Sequence, residues 1–328
     1  MNQKQLSAIF FLSLFLTSTL LTGQEPQNPE LAREIKQMRD LDQKNRIKWS
    51  GMIRKGKKDT KKFKEYTAEV IAADRRHTAR MREIVKEYGW PTYDLVGEGP
   101  SNSAWLIVQH ADRNPLFQAK CLTLLEEAVK NQQANPSNYA YLYDRVQVSQ
   151  GRKQRYATQS STNNGLTEGQ FYPLEDEFNV QKNREAMGVT RSVEEYASSM
   201  GFEYTIPSPP EAKQREEELQ ERYETNLSLA KKAAEANDHE TAANHYLEVA
   251  QCYGWVTTND FLEASRVLSV AEHKEVNRAY TYLTRAMARG WEGIETITED
   301  PQYDYLKSSN PGKWSDLLIT ASEMELDR

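Results

Sequence analysis

The fold class is decided by residues 60–88, which read TKKFKEYTAEVIAADRRHTARMREIVKEY. Apolar residues recur in this stretch every three or four positions, and two ionisable residues, Asp74 and His77, share their stripe. The spacing predicts one face of a long α-helix. We expect the helix to begin near Thr60 and to end at Gly89-Trp90-Pro91, because Gly favours a helix C-terminus and Pro cannot continue a helix.

Similar periodicity extends along most of the chain. A first helix is expected from Glu30, with Leu31, Ile35, Met38, Asp42, Asn45 and Trp49 on one face. Further helices are expected over Ser101–Asp112, from Pro115, from Pro136 and over residues 180–196, whereas residues 147–172 show no sustained period. The pattern predicts a mainly all-α protein whose first domain is irregular and carries a long polar loop.

The N-terminus is typical of a secretory signal peptide. Residues 8–21 are an uninterrupted apolar and hydroxyl stretch, and Thr22-Gly23-Gln24 offers small residues for cleavage after Gly23. We expect residues 1–23 to be the leader and the protein to be exported to the periplasm or the outside of a bacterium. An uncleaved anchor is the alternative, but the stretch falls short of the roughly 20 residues that a spanning helix needs. The net charge of −6 argues against a nucleic-acid partner.

The clearest boundary is Pro207-Ser208-Pro209-Pro210. We expect a linker (24–30) after the leader and then a helical domain (31–205). The Pro-rich linker (206–212) separates that domain from a second one (213–328). The second domain resembles tetratricopeptide repeats through Ala230, Ala242 and Tyr246, which suit close packing of two helical hairpins. That resemblance implies a surface for a protein partner. Cys121 and Cys252 fall in different domains, and their pairing is left open.

The first domain resembles an uncharacterised bacterial family, a domain of unknown function, over about residues 31–196. The resemblance rests on these segments: Asp42-Gln43 with Arg46; Gly89-Trp90-Pro91; Val96-Gly97; Ala104-Trp105; Gln109-His110-Ala111-Asp112; Phe117-Gln118; residues 141–146; residues 154–159; and Arg184 before Met187-Gly188. The family usually has Gly where this chain has Ala157. Because Ala tolerates a positive φ poorly, the departure argues against a tight backbone approach at this position.

Polar residues in the middle of the chain are the candidate site. Catalytic candidates are His110, Asp112, Asp144 and Arg145, and the ligand-binding set adds Gln109, Gln154, Tyr156, Thr158 and Gln159. His110 suits proton transfer, Arg145 suits an anionic group, and the uncharged amides suit recognition of a polar ligand. On a helix His110 and Asp112 point about 200° apart and cannot form a metal pair. Alternatively, His110 caps the core, and Asp144 or Arg145 clamps the following loop.

A second candidate is a buried polar cluster of Asp42, Asp74 and His77, which interrupt two apolar helix faces. Antiparallel packing of the two helices brings these residues together, as a ligand or metal site or as a structural ion-pair network. We favour the network, with His77 paired to Asp42 and Asp74 to Arg46, and expect no metal. The basic run at residues 54–62 is expected to be a solvated turn, with an anionic-surface role as the alternative.

Three functions remain open. The leading one is an exported helical protein that binds a polar ligand in the first domain or a protein partner through residues 213–328. The second is a hydrolase, metal-dependent or not, with His110 or His77 as base and Asp42, Asp74 or Asp112 in support. The third is a structural envelope protein with no small-molecule site. The sequence identifies no cofactor and predicts no stable membrane anchor once the leader is removed. All candidate residues should converge on one cleft if there is a site.

Overall fold

The computed structural model describes residues 25–57, 60–161 and 169–327. The described residues form fifteen α-helices and, apart from two isolated β-bridges, no β-structure. The all-α prediction is confirmed. The expected leader lies outside the described residues, and none of the described helices is long and apolar enough to cross a membrane.

A long helical hairpin opens the fold. It consists of α1 (Pro29–Arg54) and α2 (Lys61–Tyr88), capped by Asn28 and Thr60, whose side chains accept hydrogen bonds from backbone N–H groups of the first turns. The short α3 (Tyr93–Val96) leads into α4 (Glu98–Gln109), which packs against both long helices. The polar residues of the two helix stripes, Asp42, Asp74 and His77, therefore lie in the hairpin against which α4 packs.

The helix expected over Ser101–Asp112 is displaced in the structure. It begins at Glu98, after Gly97 with a φ of 85°, and it ends at Gln109. The end is set by Gln118, whose Nε2 donates to the carbonyl oxygens of Val108 (3.1 Å) and Gln109 (3.2 Å). His110 is consequently the C-cap, and the argument that His110 and Asp112 diverge on a helix does not hold.

Two more helices complete the first core. They are α5 (Pro115–Lys130) and α6 (Pro136–Ser149). Each begins at Pro, as the sequence predicts, and in each the preceding Asn side chain caps the first turn. Met81, Ile84, Ile107, Phe117 and Leu142 lie at the centre of this core. Cys121 is buried here as a free thiol, and Cys252 is buried and free elsewhere in the molecule.

An irregular segment follows α6. Its parallel bridge joins Gln154 to Leu174 and its antiparallel bridge joins Ser160 to Phe171. The region expected as one helical stretch over 180–196 is two short helices, α7 (Val180–Ala186) and α8 (Val193–Ser199). Gly188 separates them with a φ of 67°, a conformation that ends a helix.

The C-terminal helices build a separate core around Phe261, Leu268, Leu283 and Leu306. They are α9 (Pro209–Glu235), α10 (His239–Val249), α11 (Thr258–Val270), α12 (Asn277–Ala288), α13 (Ile294–Glu299), a 3-10 turn (Pro301–Tyr303), α14 (Asp304–Ser309) and α15 (Pro311–Glu325). The helices pair as α9 with α10 and α11 with α12, which agrees with two expected hairpins. Helix α9 starts at Pro209, inside the expected linker, because Ser208 and Glu211 form a capping box.

Contacts of Arg289 and Asp327 are among those that join the C-terminal helices to the N-terminal ones. Arg289 donates to the carbonyl oxygens of Gln150 (2.5 Å) and Gly151 (3.3 Å) at the end of α6. The carboxylate of Asp327 accepts hydrogen bonds from Nε and Nη2 of Arg82 in α2, at 2.9 and 2.8 Å. The last helix thus returns to the hairpin that opens the fold.

Candidate functional site

A polar cluster lies where α1, α2 and the end of α4 meet. Both carboxylate oxygens of Asp42 lie within hydrogen-bond distance of His110 Nδ1, at 3.0 and 2.9 Å. Arg46 Nε donates to Asp42 (3.1 Å), and Arg46 Nη2 donates to Asp74 (2.9 Å). Gln43 Nε2 completes the shell of Asp42 at 2.9 Å. We call Asp42, Arg46, Asp74, His77 and His110 the polar cluster.

The contacts of His110 fix its tautomer. Arg46 Nε also lies 2.8 Å from His110 Nδ1, but this nitrogen cannot accept from Arg46 and donate to Asp42 at once. An unprotonated Nδ1 would set its lone pair against two carboxylate oxygens, which is repulsive. The proton is therefore on Nδ1 and is donated to Asp42, while Arg46 Nε donates to the same carboxylate. Nε2 is left as the nitrogen that can exchange protons or bind a ligand.

Burial and neighbouring charges shift the pKa values of these groups in different directions. Burial raises the pKa of Asp42, but the hydrogen bond and charge of His110 and the charge of Arg46 lower that pKa more, so it ends below its ordinary value. The pKa of Asp74 is raised, because burial and the nearby Asp42 outweigh Arg46. Burial lowers the pKa of His77 and favours its neutral form. Asp42 is the permanent anion of the cluster.

The cluster is partly open to solvent. The side chain of Asp42 is 2% exposed, whereas those of His110, Asp74 and Arg46 are 18%, 20% and 25% exposed. The buried carboxylate therefore holds an imidazole that is partly exposed. The expected pairing of Asp74 with Arg46 is present. Asp42 forms hydrogen bonds with His110 and Arg46 and not with His77, the partner expected for it. His77 is near enough for the charge of Asp42 to act on its pKa.

Asp112 and Arg145 form a second pair close to His110. Arg145 Nη1 donates to Asp112 Oδ1 at 2.6 Å, and Gln118 Nε2 donates to the same oxygen at 3.2 Å. Asp112 is 59% exposed, so the pair contributes little to stability. Gln109 is buried, and its Nε2 has no acceptor among the described residues.

The remaining candidate residues have internal partners. Asp144 is fully buried and accepts hydrogen bonds from the backbone N–H groups of Arg155, Tyr156 and Thr158 and from the Thr158 hydroxyl, at 2.8–3.1 Å. Burial raises its pKa to about 6, although these donors oppose the rise. Asp144 thus holds the loop that follows α6 in place, as in the second of the two roles that the sequence left open for it.

Gln154 and Gln159 stabilise the same loop. Gln154 is fully buried, with Nε2 donating to the carbonyl oxygens of Gln159 and Tyr172 (both 2.8 Å) and Oε1 accepting from the backbone N–H of Gln159 (2.9 Å). The ring of Tyr156 packs edge-on against Tyr143, 5.7 Å between centroids. These side chains therefore have internal partners that stabilise the fold, and we do not include them in the candidate site.

The N-terminal helices and the loop match one family model over residues 29–206, more than half of the chain, and its description is "Family of unknown function (DUF6624)". The chain belongs to this family. No curated protein and no solved structure matches the chain. The DUF6624 domain therefore has to be interpreted from its own geometry.

The DUF6624 domain also contains a fully buried guanidinium. Arg184 Nη1 donates to the carbonyl oxygens of Tyr156 (2.6 Å) and Ala157 (3.3 Å), and Nε and Nη2 donate to that of Arg191. Its charge lies over the ring of Tyr196, 5.3 Å from the centroid. Ala157 adopts a φ of 48°, so the tight backbone conformation exists despite the Ala.

A groove of about 1100 Å³ lies outside the polar cluster. It separates residues 170–177 and 202–204 of the DUF6624 domain from α9 and α10. Salt bridges cross it from Arg215 to Glu177 (3.0 Å) and from Lys153 to Glu216. None of the residues proposed from sequence lines this groove.

The predicted convergence on one cleft is met only in part. Asp42, Asp74, His77 and His110 come together, Asp112 and Arg145 lie beside them, and the Asp144 loop is a separate structural unit. Within the described part of the chain, no group of three His, Cys, Asp or Glu side chains has an arrangement that could hold a metal. Arg46 is the main residue that sequence reasoning undervalued. Its position four residues after Asp42, on the same helix face, was the available signal.

Proposed function

We propose that the DUF6624 domain binds a small polar ligand at the polar cluster, and that His110 Nε2 contacts this ligand. One observation carries the proposal: the buried anion of Asp42 holds an imidazole that is itself 18% exposed. A carboxylate that fixes the tautomer of a histidine prepares its second nitrogen for a defined hydrogen bond.

The groups around His110 indicate the chemistry of the ligand. Arg46 offers N–H donors, Asp74 offers carboxylate oxygens, and both are partly exposed. Two carboxylates and one guanidinium disfavour a bare anion, because an added negative charge would face Asp42 and Asp74. The set suits a ligand with neighbouring hydrogen-bond donors and acceptors, such as a hydroxylated or amide-bearing small molecule.

A thermal-shift screen of sugars, nucleosides and amino acids tests this proposal. A hit should raise the Tm of the wild-type protein and of His245→Gln, a control in α10 whose imidazole bonds Asn226. The same hit should leave the Tm of His110→Gln unchanged. An equal response in His110→Gln and the wild type would place ligand binding elsewhere. A loss of fold in His110→Gln, without any hit for the wild type, would favour the structural role.

Hydrolysis is the second candidate, and the Asp42–His110 contact favours it specifically. An imidazole that donates Nδ1–H to a buried carboxylate can accept a proton at Nε2 from water or from a hydroxyl group. Asp42 would then stabilise the resulting imidazolium. If the protein cleaves a ligand found in the screen, Asp42→Asn should lower kcat more than it raises KM. A pure binding role predicts weaker binding without product.

Export and a protein partner complete the proposed function. Residues 1–23 support export, because their pattern is typical of a cleaved leader. The helical pairs α9–α10 and α11–α12 support a repeat-like surface over residues 213–328. Mass spectrometry of the protein recovered from its host tests the first point, since cleavage after Gly23 predicts a mature chain that starts at Gln24. An intact Met1 in the mature protein would exclude cleavage.

A further inference from the structure

The distal end of the α1–α2 hairpin is an uncovered part of the fold. In α1 the last buried residue is Asp42, and the helix continues to Arg54, about 18 Å further at 1.5 Å per residue. In α2 the first buried residue is Tyr66. Within the described part of the chain, the distal end is held by contacts between the two helices themselves.

Basic side chains cover this end. Arg54, Lys55, Lys57, Lys61, Lys62 and Lys64 are all exposed, and we call them the basic tip. One of them, Lys61, has an acidic neighbour, Glu65, at 3.7 Å, but both are largely exposed and the pair is weak. The whole chain carries a net charge of −6, so the tip is a local positive region on an acidic protein.

Apolar side chains lie directly behind the basic tip. Trp49 and Phe63 stack on each other, with 6.1 Å between centroids and 19° between planes, and Trp49 Nε1 donates to Thr67. Met52 and Ile53 are half-buried next to them, and Ile47 is 69% exposed. The basic run at residues 54–62 contains no aromatic residue, but Phe63 follows it directly and the fold brings Trp49 against Phe63.

We propose that the basic tip binds the anionic headgroups of a lipid surface, with Met52 and Ile53 contacting the region below the headgroups. Lysines around a small apolar area match the composition of segments that lie at membrane interfaces. A nucleic acid fits less well, because Trp49 and Phe63 are partly buried and each covers one face of the other, which leaves less ring surface for bases. The contact would be peripheral, since no described helix could cross the membrane.

Vesicle co-sedimentation of the full chain tests the proposal. The probes are phosphatidylcholine vesicles and vesicles of phosphatidylcholine and phosphatidylglycerol mixed two to one. We compare the wild type with a triple variant, Lys57→Gln, Lys61→Gln and Lys62→Gln. The matched control removes three exposed lysines from α9, Lys213→Gln, Lys231→Gln and Lys232→Gln. The apolar residues 8–21 are the same in every variant, so their contribution cancels in the ratio of partition coefficients.

The wild type should bind the mixed vesicles in preference to the neutral ones. Each lysine near an anionic surface strengthens binding about fivefold, so the tip variant should partition about 100-fold less and the control about as well as the wild type. Raising the ionic strength from about 0.1 M to about 1 M should weaken wild-type binding, because the screening length falls from about 10 Å to about 3 Å. Ile53→Gln should reduce binding and leave this salt dependence intact.

Three results would overturn the proposal. One is equal loss of binding in the tip variant and the α9 control, which would indicate an effect of net charge alone. Another is equal binding of the wild type to neutral and mixed vesicles. The third is binding to duplex DNA, abolished in the tip variant, with no binding to mixed vesicles. Every substituted tip residue is exposed, so the tip variant should unfold at the wild-type Tm. Thermal unfolding of each variant checks this and excludes misfolding as the cause of lost binding.

Discussion

The carbonyl oxygen of Ala157 lies 3.3 Å from Nη1 of the buried Arg184, and Ala157 holds a φ of 48°. This left-handed conformation costs an L-residue about 1–2 kcal/mol. It persists because Asp144 binds the N–H groups on either side of Ala157 and Arg184 binds the carbonyls. The loop after α6 is thus held from both sides.

Replacing Ala157 by Gly should stabilise the protein. Gly adopts this φ without strain, and the relief of about 1–2 kcal/mol exceeds the entropy that Gly loses on folding. Because the buried methyl group of Ala157 is also lost, we expect a gain of less than about 1 kcal/mol in the free energy of unfolding. Urea denaturation measures it. Gly188→Ala is the control in the opposite sense, because its φ is 67° and a Cβ there meets only Ser137 Oγ at 3.6 Å. Stability changes of the same sign in both variants would contradict this account.

Asp144→Asn should destabilise the loop strongly. The carboxylate accepts from three backbone N–H groups and one hydroxyl, whereas an amide turns an N–H donor toward some of these donors. Leaving buried donors unpaired should cost about 3 kcal/mol. Urea denaturation gives the cost, and protease sensitivity within residues 150–175 should rise. Asp112→Asn, at an exposed carboxylate, should change stability by less than about 1 kcal/mol.

The contact of Arg82 with Asp327 should contribute more than an ordinary ion pair. Its carboxylate is fully buried and also accepts from Asn114 Nδ2 at 2.8 Å. Removing one partner, by Arg82→Gln or Asp327→Asn, should cost about 3 kcal/mol, and the double variant should cost less than the sum. Arg222 and Glu248, which are 46% and 50% exposed, form the comparison pair. Additive effects in both cycles would show that Arg82 and Asp327 act independently.

His77 predicts a specific pH dependence of stability. Burial lowers its folded pKa below the ordinary 6.5, so the unfolded chain takes up a proton first as the pH falls. The stabilising contribution is complete above the unfolded pKa and is lost as the pH falls toward the folded one. Between about pH 7.5 and about pH 5.5 the Tm of the wild type should fall more than that of His77→Gln. His245→Gln should follow the wild type, and parallel curves for His77→Gln and the wild type would exclude the effect.

The periodic segments of the chain were predictable, because their apolar stripes and Asn-Pro caps act locally. The stripe positions of Asp42, Asp74 and His77 also predicted that polar groups meet between α1 and α2. The partner of Asp42 was not predictable, since His110 follows the end of α4, which lies at Gln109, three residues before the expected end at Asp112. The roles of Asp144 and Gln154 depend on backbone N–H and carbonyl groups, which no side-chain pattern in the sequence displays.

The contact between Arg82 and Asp327 joins positions 245 residues apart. At about 5–20 residues per second, ribosomal synthesis separates the appearance of these two side chains by roughly 10–50 seconds. Most of the DUF6624 domain can fold in that interval, with the guanidinium of Arg82 and the amide of Asn114 still in water. The order of synthesis therefore predicts that α15 packs onto a DUF6624 domain that has already folded, as a late step of folding.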